Sequence, residues 1–388
     1  MFHVGIDISK FKHDCFIATD AGVKISAFTL MNDYEGFQKL KNELSVLGDP
    51  KQIKIGFEST GHYGINLKSF LSGLGYTYLE FNPQLTSQFS KATTLRRTKT
   101  DKIDAKLIAT MLGQFDYKTL HSTFYHKNEL KELVRQRDHY LEMKSEQLVH
   151  LTNVLDKSFP EFKGIFNNRM GKTPLYILKT YKNKEKISNL SMNHYETLRK
   201  LSMGAFSYPK FSKLKSLART SIGHSSQSYD LLITTIIHHY EELVKMIEVL
   251  DREIEDLYFK TDSFIHTIPS IGIITAATIY AEIGDIKRFS NPGQLTAYAG
   301  LDVKISQSGT TEKFGKIVKR GSSLLRKYLY MYAFYALRYI PQINDYYYEK
   351  KDQNKHHKVI LVNISRKLIR IIHHIETNKV PFDINKVV

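Results

Sequence analysis

The sequence contains a single cysteine, Cys15, and no tryptophan among its 388 residues. One cysteine excludes a disulfide framework and a zinc site built on several cysteines. The apolar runs, such as 231–237, fall far below the ~18 residues that a helix needs to cross a bilayer. Asp7 and Lys10 stand where a signal peptide would have its apolar core. These absences predict a soluble cytoplasmic protein with no membrane partner.

Acidic residues are few beside the basic ones. The chain has 56 Lys and Arg against 39 Asp and Glu, a formal net charge of +17 with His neutral. Its 388 residues allow two or three domains of ~100–200 residues, and an apolar share of 42% excludes a wholly disordered chain. The positive excess favours nucleic acid as the partner class over an anionic membrane surface.

The first 120 residues alternate between patterns typical of strands and of helices. The patterns predict strands at 2–7, 14–19, 23–30, 52–57 and 76–81, and helices from 32, at 65–74 and at 102–112. Three strands in a meander, followed by alternating helices and strands, is the order of a ribonuclease-H-like α/β domain.

A long helical region follows, with apolar residues repeated every seven positions. The repeat on its first helix consists of Val134, Leu141, Leu148 and Leu155. The two seams on its second helix consist of Ile233, Tyr240, Ile247 and Ile254, and of Ile236, Leu243, Leu250 and Leu257. These heptads predict a coiled coil, but they do not separate pairing between subunits from a helical hairpin within one. Residues 156–225 are only weakly periodic and yield no prediction.

Four carboxylates stand at positions where they can converge. Asp7 ends the first predicted strand and Glu58 the fourth, while Asp101 and Asp104 lie three residues apart on one helix face. Crowded carboxylates repel one another unless a cation joins them, and Mg²⁺ prefers such oxygen ligands. Each residue also has a simpler explanation as a turn or helix cap. Together with the strand order, the four favour a site where two metal ions would clamp a phosphodiester.

A basic stretch surrounds the last two of these acids. Between 91 and 106 there are six basic residues against two acidic ones, namely Lys91, Arg96, Arg97, Lys99, Lys102 and Lys106. Positive side chains beside carboxylates suit a phosphate backbone held next to a metal ion. A solvated basic loop explains the lysines but not why the two arginines adjoin the acids.

The segment 268–277 resembles a helix-hairpin-helix turn. In that motif a tight glycine turn precedes a helix, and backbone N–H groups bind phosphate without reading bases. Gly272 matches the motif, whereas Ser270 stands where the first glycine is usual. A packed helical hairpin without a ligand explains the same residues equally well.

A hydroxyl-rich segment at 305–311 precedes a second basic stretch. Between 313 and 327 there is no acidic residue, and the basic residues are Lys313, Lys316, Lys319, Arg320, Arg326 and Lys327. A serine in a glycine-containing loop among cations could attack a phosphodiester. Ser306, Ser308 and Ser322 are all candidates, and composition alone does not select one.

These motifs together resemble those of the transposase family with an Asp-Glu-Asp-Asp amino-terminal domain. The family includes the Piv-type site-specific DNA invertases and the bridge-RNA-guided recombinases of certain insertion sequences. The amino-terminal match lies at 5–10, 58–61 and 97–105. The carboxy-terminal match lies at 268–272, 281–285, 288–289, 298–301, 307–309, 319–321 and 325–326.

The resemblance implies a fold in three parts. A RuvC/RNase H-like domain would cover 1–122, a helical coiled-coil oligomerisation region 123–260, and a mainly helical transposase domain with a helix-hairpin-helix-like element 261–388. The four carboxylates would bind Mg²⁺, and a serine would become covalently joined to DNA. The Gln-Ser-Gly match assigns that role to Ser308. The two basic stretches and Gly272 would contact nucleic acid.

The resemblance also implies partners. They are donor and target DNA, a noncoding bridge RNA, and further copies of the chain in a dimer or tetramer. In such an oligomer the carboxylates of one subunit would complete the serine site of another.

Two other functions stay open from the residues alone. A RuvC-like metal-dependent structure-specific nuclease or resolvase would use the carboxylates without serine chemistry. A non-catalytic nucleic-acid-binding protein would use all of these charges as scaffold.

Overall fold

A computed structural model describes residues 1–59, 61–81, 83–93, 100–114, 125–166, 168–308 and 311–386. Of these, 84, 125–128, 304–308, 311–316 and 386 are described by their backbone alone. The chain folds as two compact units, Met1–His126 and Lys127–Val388. None of the helices in the described part is long and apolar enough to cross a membrane.

The first unit is a mixed five-stranded sheet with helices on both faces. Its strands are β1 (Phe2–Ile8), β2 (Lys12–Thr19), β3 (Lys24–Met31), β4 (Ile53–Glu58) and β5 (Tyr78–Phe81). Its helices are α1 (Tyr34–Ser45), α2 (Ile65–Gly73), α3 (Pro83–Thr93) and α4 (Asp101–Gln114). The sheet order is β3-β2-β1-β4-β5, antiparallel from β3 to β1 and parallel from β1 to β5. The predicted α/β element order is confirmed, apart from the additional α3.

Alternation along β1 determines which residues face which helices. Val4 and Ile6 are fully buried in the core that α1 and α2 cover, whereas Gly5 faces α4. A Cβ atom at Gly5 would lie 2.1 Å from the carbonyl oxygen of Ala105, so only glycine lets α4 approach this closely. Asp7 is two residues further along the strand and therefore points to the same face as Gly5.

The second unit is mainly helical. Its helices are α5 (Tyr125–Ser158), α6 (Lys172–Tyr181), α7 (Lys184–Ser188), α8 (Met192–Leu201), α9 (Tyr208–Thr220), α10 (Gln227–Phe259), α11 (Ile273–Ile283), α12 (Pro292–Tyr298), α13 (Ser323–Tyr339), α14 (Pro341–Asp352) and α15 (His357–Asn378). Its strands are β6 (Val303–Ser308) and β7 (Thr311–Ile317), which form an antiparallel hairpin. No strand was predicted in this segment, because few of its apolar residues alternate and the strand pattern is faint.

The two long helices α5 and α10 pack against each other in opposite directions. Arg137 near the start of α5 forms an ion pair with Asp251 near the end of α10. Leu151 near the end of α5 shares a core with Ile233 and Ile237 near the start of α10. Most of the heptad positions are buried or half-buried within this one chain, as the alternative of a hairpin within one subunit requires, whereas Leu148 on α5 is exposed. A coiled coil between subunits stays a prediction.

Residues 156–225, for which the sequence yielded no prediction, contain α6 to α9. These helices pack on the end of α5 and the start of α10 around Phe162, Leu178, Leu198 and Leu214, all fully buried. They are only 5 to 13 residues long, so each holds few turns and the periodicity is weak. A second core joins α11, α13 and α15 near the carboxyl end.

Candidate active site

Three acidic residues lie level with one another on neighbouring strands of the first unit. Asp7 on β1 is the cross-strand partner of Asp14 on β2, and Glu58 on β4 directly follows Phe57, the partner of Ile6. Residues paired across strands point to the same face and lie about 5 Å apart. The sheet therefore forms one row of acids on the face that α4 covers.

Helix α4 adds two further carboxylates to this face. Asp101 and Asp104 stand in its first turn, just before Ala105, which packs against β1. The N–H of Ile103 donates to the Thr100 hydroxyl at 3.3 Å, so Thr100 caps the helix rather than Asp101. Both carboxylates thus lie at the start of the helix, near the row of acids.

The pKa of Asp7 reflects this crowding. Partial burial, followed by the negative charges of Asp104, Asp101, Glu58 and Asp14, raises the pKa of Asp7 from 3.8 to about 6. Like charges act in this way only when they are close, because they disfavour the ionised form. The structure therefore brings together the four carboxylates that the sequence singled out.

Two residues of this cluster, Lys12 and Asp14, are not among those that the sequence pattern singles out. Asp14 is only 2% exposed and accepts hydrogen bonds from the Thr29 hydroxyl and, at 3.3 Å, from Lys12 Nζ. The same Nζ atom forms an ion pair with Asp101 at 3.2 Å, so one side chain joins β2 to α4. The register of the first two strands was the signal available, since the residue opposite Asp7 must share its face.

Glu58 is oriented by the helix that the sequence did not predict. The hydroxyl of Thr86 on α3 donates to Glu58 Oε2 at 2.6 Å, and Thr86 itself is buried. Because the Pro83 that follows β5 suggested only a chain break, α3 was not expected. A proline is tolerated in a first turn, where the N–H that it lacks has no partner in the helix.

The donors of this cluster are carboxylate oxygens, which are the ligands that Mg²⁺ prefers. Among the described residues, no three His, Cys, Asp or Glu side chains are close enough to hold one metal ion together. Lys12 supplies positive charge between Asp14 and Asp101. The cluster therefore fits a divalent cation by the chemistry of its donors, although no three of its described side chains lie close enough to hold one ion as they stand.

Two predicted nucleic-acid contacts of the first unit lie on the surface. Lys91 is exposed in the last turn of α3, and Lys102 is exposed in the first turn of α4. The other predicted contacts in this stretch lie outside the described residues, namely Arg96, Arg97 and Lys99.

In the second unit, the turn before α11 has part of the helix-hairpin-helix geometry. Ser270 has a φ of 60°, the left-handed conformation that favours glycine, at the position where the motif usually has one. Gly272 is the N-cap residue of α11, and a Cβ added there would meet no atom within 4 Å. The element before the turn is the short 3₁₀ helix Ile265–Thr267 rather than a full helix.

Ser306 and Ser308 both lie on β6. Ser308 is the last residue of the strand and pairs with Thr311, the first residue of β7, while Ser306 pairs with Lys313. Ser308 therefore stands at the tip of the hairpin. The side chains of these residues are outside the described part.

Ser322, the third serine considered, has a structural role. Its hydroxyl accepts the N–H of Leu325 at 3.1 Å and donates to the Glu282 carboxylate at 2.7 Å. These two bonds cap α13 and tie its start to α11. They engage both the oxygen and the proton that a nucleophile would have to use.

Some of the basic residues after the hairpin are exposed to solvent, and others form hydrogen bonds within the protein. Lys319 and Arg320 are exposed. Arg326 instead donates from Nη1 to the carbonyl oxygen of Ala299 at 3.0 Å. The two predicted contacts whose side chains lie outside the described part are Lys313 and Lys316.

Two family models match this chain. One, described as "Transposase", matches residues 4–160, and the other, described as "Transposase IS116/IS110/IS902 family", matches residues 262–348. Together they cover more than half of the chain. Their ranges include both the carboxylate cluster and the serine-bearing hairpin.

Curated proteins with related names are similar to the chain. The "Pilin gene-inverting protein" of Moraxella bovis is 25% identical over 98% of this chain and 97% of its own length. The "Transposase for insertion sequence element IS1111A" of Coxiella burnetii is 32% identical over 28% of either chain. The "Transposase for insertion sequence element IS1328" of Yersinia enterocolitica is 31% identical over 30% of this chain and 36% of its own.

Proposed function

Because the chain belongs to the insertion-sequence transposase family and is a DNA recombination enzyme, we propose that it exchanges strands through a serine joined covalently to DNA beside metal-binding carboxylates. The observation that carries this proposal is the convergence of Asp7, Glu58, Asp101 and Asp104 on one face of the sheet.

We assign the first unit to the RuvC-like fold, an assignment that its β3-β2-β1-β4-β5 strand order supports. The four carboxylates would hold Mg²⁺, which, when bound, polarises a scissile phosphate and lowers the proton affinity of the nucleophile. Thr86 orients Glu58 for this task, and Lys91 and Lys102 would hold the DNA backbone alongside.

We assign the nucleophile to Ser308. Its hydroxyl oxygen bonds to phosphorus, the bond from phosphorus to the 3′ oxygen breaks, and the serine proton ends on that oxygen. The products are a phosphoserine linked to the 5′ end and a free 3′-hydroxyl. Because the ester energy is kept, a 3′-hydroxyl can later displace the serine without ATP. The exposed Lys319 and Arg320 near the hairpin would steady the phosphate.

We propose three roles along the chain, for 1–122, 123–260 and 261–388. The middle segment would hold subunits together as a dimer or tetramer, so that carboxylates of one subunit meet the serine of another. Donor and target DNA would be chosen with a noncoding bridge RNA. The net charge of +17 supports nucleic-acid partners, and the cytoplasm is the expected compartment.

A denaturing gel tests the serine chemistry. With Mg²⁺ and labelled DNA carrying the element's ends, the wild type should give a covalent protein–DNA adduct. Ser308→Ala should give none, whereas Ser306→Ala, the matched serine on the same strand, should keep it. Strand exchange by Ser308→Ala would exclude Ser308 as the nucleophile, and wild-type cleavage without an adduct would favour a metal-dependent nuclease.

The carboxylate role and the RNA partner have separate tests. Asp7→Ala should abolish both cleavage and adduct formation, and cleavage that survives the substitution would exclude the metal-centred mechanism. Sequencing of nucleic acid that copurifies with the protein should return one discrete RNA. A mixture without a discrete species would count against a guide.

A further inference from the structure

A charged carboxylate lies buried in the carboxy-terminal core. Glu282 on α11 is 0% exposed; its Oε1 accepts a hydrogen bond from Arg135 Nε at 2.7 Å, and its Oε2 accepts one from the Ser322 hydroxyl at 2.7 Å. Burial by itself raises the pKa of Glu282, but the Arg135 bond, the charge of Lys131 and the Ser322 bond outweigh burial and lower it. The group therefore stays ionised in the core.

A buried ion pair of this kind need not stabilise the fold, because a protein with apolar residues of the same size in its place is often as stable. A geometric role is a better explanation. The partners of Glu282 come from two other helices, Arg135 from α5 and Ser322 from the start of α13. One carboxylate thus fixes three helices relative to one another.

The start of α13 is in turn bonded to the last residue of α12, from which the chain leads to the base of the β6–β7 hairpin. The N–H of Ser322 donates to the carbonyl oxygen of Tyr298 at 2.9 Å, and the Tyr298 hydroxyl donates to the Glu282 carbonyl oxygen at 3.1 Å. A Cβ atom at Gly321 would lie 2.0 Å from the same Tyr298 oxygen, and Gly321 has a φ of 105°. The backbone of Gly321 therefore contacts the backbone of Tyr298 directly.

Pairing continues from this contact into the hairpin. The N–H of Lys319 donates to the carbonyl oxygen of Gly300 at 3.2 Å, and the N–H of Val318 donates to that of Asp302 at 2.8 Å. The next pair, Val303 with Ile317, belongs to β6 and β7 themselves, and the pairing resumes at Ile305 after an irregularity in the register. The hairpin is thus continuous, through a few hydrogen bonds, with the buried carboxylate.

We propose that Glu282 is a positioning residue for strand transfer, which orients the hairpin that presents Ser308 by clamping its base to α5 and α13. The inference rests on the proposed nucleophilic role of Ser308. Glu282 itself touches neither DNA nor the reacting atoms; it acts through Ser322 and the paired backbone that leads to the hairpin.

The chain offers a matched control for Glu282. Glu376 on α15 is 2% exposed and accepts hydrogen bonds from the Ser263 hydroxyl at 2.6 Å and from Lys379 Nζ at 3.0 Å. It is therefore also a buried carboxylate held by a serine and a cation in the same unit. Its partners lie outside the segment 298–322, so Glu376→Gln measures the general effect of losing such a charge.

The experiment compares Glu282→Gln with Glu376→Gln in the full-length chain. We expect Glu282→Gln to slow formation of the covalent adduct between about 10- and 100-fold, the effect of displacing a reacting group by about 1 Å. DNA affinity should stay within about twofold, because no phosphate contact is lost. Hydrogen exchange at 318–322 should be faster, and Glu376→Gln should change neither this exchange nor the adduct rate.

An unchanged adduct rate in Glu282→Gln, or an equal loss in Glu376→Gln, would overturn the inference. If Glu282→Gln does not fold, Ser322→Ala and Ser322→Thr replace it: the alanine variant should be slow and the threonine variant should recover, because threonine keeps the hydroxyl. An adduct formed by Ser308→Ala would instead defeat the proposed function. When Ser308→Ala forms no adduct and Glu282→Gln is normal, only the positioning role fails.

Discussion

At the scale of single residues, Lys12 offsets part of the negative charge of the carboxylate cluster. Its Nζ atom bonds to both Asp14 and Asp101, so Lys12→Met leaves these acids without that counter-charge. We expect the melting temperature of the metal-free protein to fall and added Mg²⁺ to raise it more than in the wild type. Lys24→Met, at an exposed position on β3, is the control. Equal responses to Mg²⁺ would contradict the prediction.

The raised pKa of Asp7 makes the folded state sensitive to pH. Burial and the neighbouring acids raise this pKa to about 6. The contribution of Asp7 to the free energy of unfolding is therefore fully present below the ordinary pKa of 3.8 and is lost as pH rises through 6. Asp7→Asn cannot ionise. In metal-free buffer it should match the wild type near pH 4 and melt at a higher temperature near pH 8. If the difference in melting temperature between the two proteins is the same near pH 4 and near pH 8, the raised pKa of Asp7 is refuted.

The residues of the site that can be predicted from the sequence are those near the ends of predicted strands. Asp7 and Glu58 lie within one residue of the ends of strands with strong apolar alternation, so their common edge follows from the sequence. The Lys12–Asp14 pair depends on the exact register of two strands, which local patterns do not contain. No local pattern indicates the buried ion pair of Glu282, because its partner Arg135 is 147 residues away in the chain.

At the scale of elements, the approach of α4 to β1 depends on Gly5. Its Cβ would lie 2.1 Å from Ala105 O and 2.4 Å from Ala109 N, so Gly5→Ala forces the helix outward. We expect a loss of about 1–3 kcal/mol in the free energy of unfolding, the usual cost of overpacking. Gly73→Ala on α2 is the control, since nothing lies within 4 Å of its Cβ.

For Gly73→Ala we expect a gain of up to about 1 kcal/mol, because alanine favours helix over glycine. Urea unfolding of both variants measures the pair. A neutral Gly5→Ala would mean that α4 packs less closely than described.

The elements that could be predicted have a strong local period. Val4, Ile6 and Ile8 alternate clearly, so β1 was placed within a residue of its observed end. In contrast, β6 and β7 are rich in polar residues, and α7 spans only 5 residues, too few to show a helical repeat. These segments take their structure from packing and pairing with distant parts of the chain, which a local pattern does not register.

At the scale of the whole molecule, the net charge of +17 predicts strong salt dependence of DNA binding. With 6–10 phosphate contacts, affinity should fall by about 10³ or more between about 50 and 200 mM salt. Replacing Lys319 and Arg320 by Gln should lower the slope of log affinity against log salt by about 2.

The charge-matched control replaces Lys172 and Lys200, which are exposed on α6 and α8, by Gln. Fluorescence anisotropy across the salt series measures both variants. Equal slopes in the two double variants would show that the hairpin base does not contact phosphate.

A site shared between subunits makes a quantitative prediction for mixtures. Asp7→Ala and Ser308→Ala should each be inactive alone. In a 1:1 mixture of dimers, about a quarter of the sites would combine an intact carboxylate cluster with an intact serine. Co-expression and an adduct assay measure this recovery. An inactive mixture that has been shown to contain hybrid dimers would place both halves of the site in one subunit.

The hairpin that bears Ser308 has a mechanical consequence. Strand β6 has six residues, so its last residue lies about 17 Å from its first, at about 3.3 Å per step. A tilt of about 10° at the base would therefore carry the tip through about 3 Å, roughly the separation of two reacting atoms before attack. Small movements at the base of the strand are therefore amplified at its tip, and the contacts at the base would decide whether Ser308, as the proposed nucleophile, reaches a phosphate.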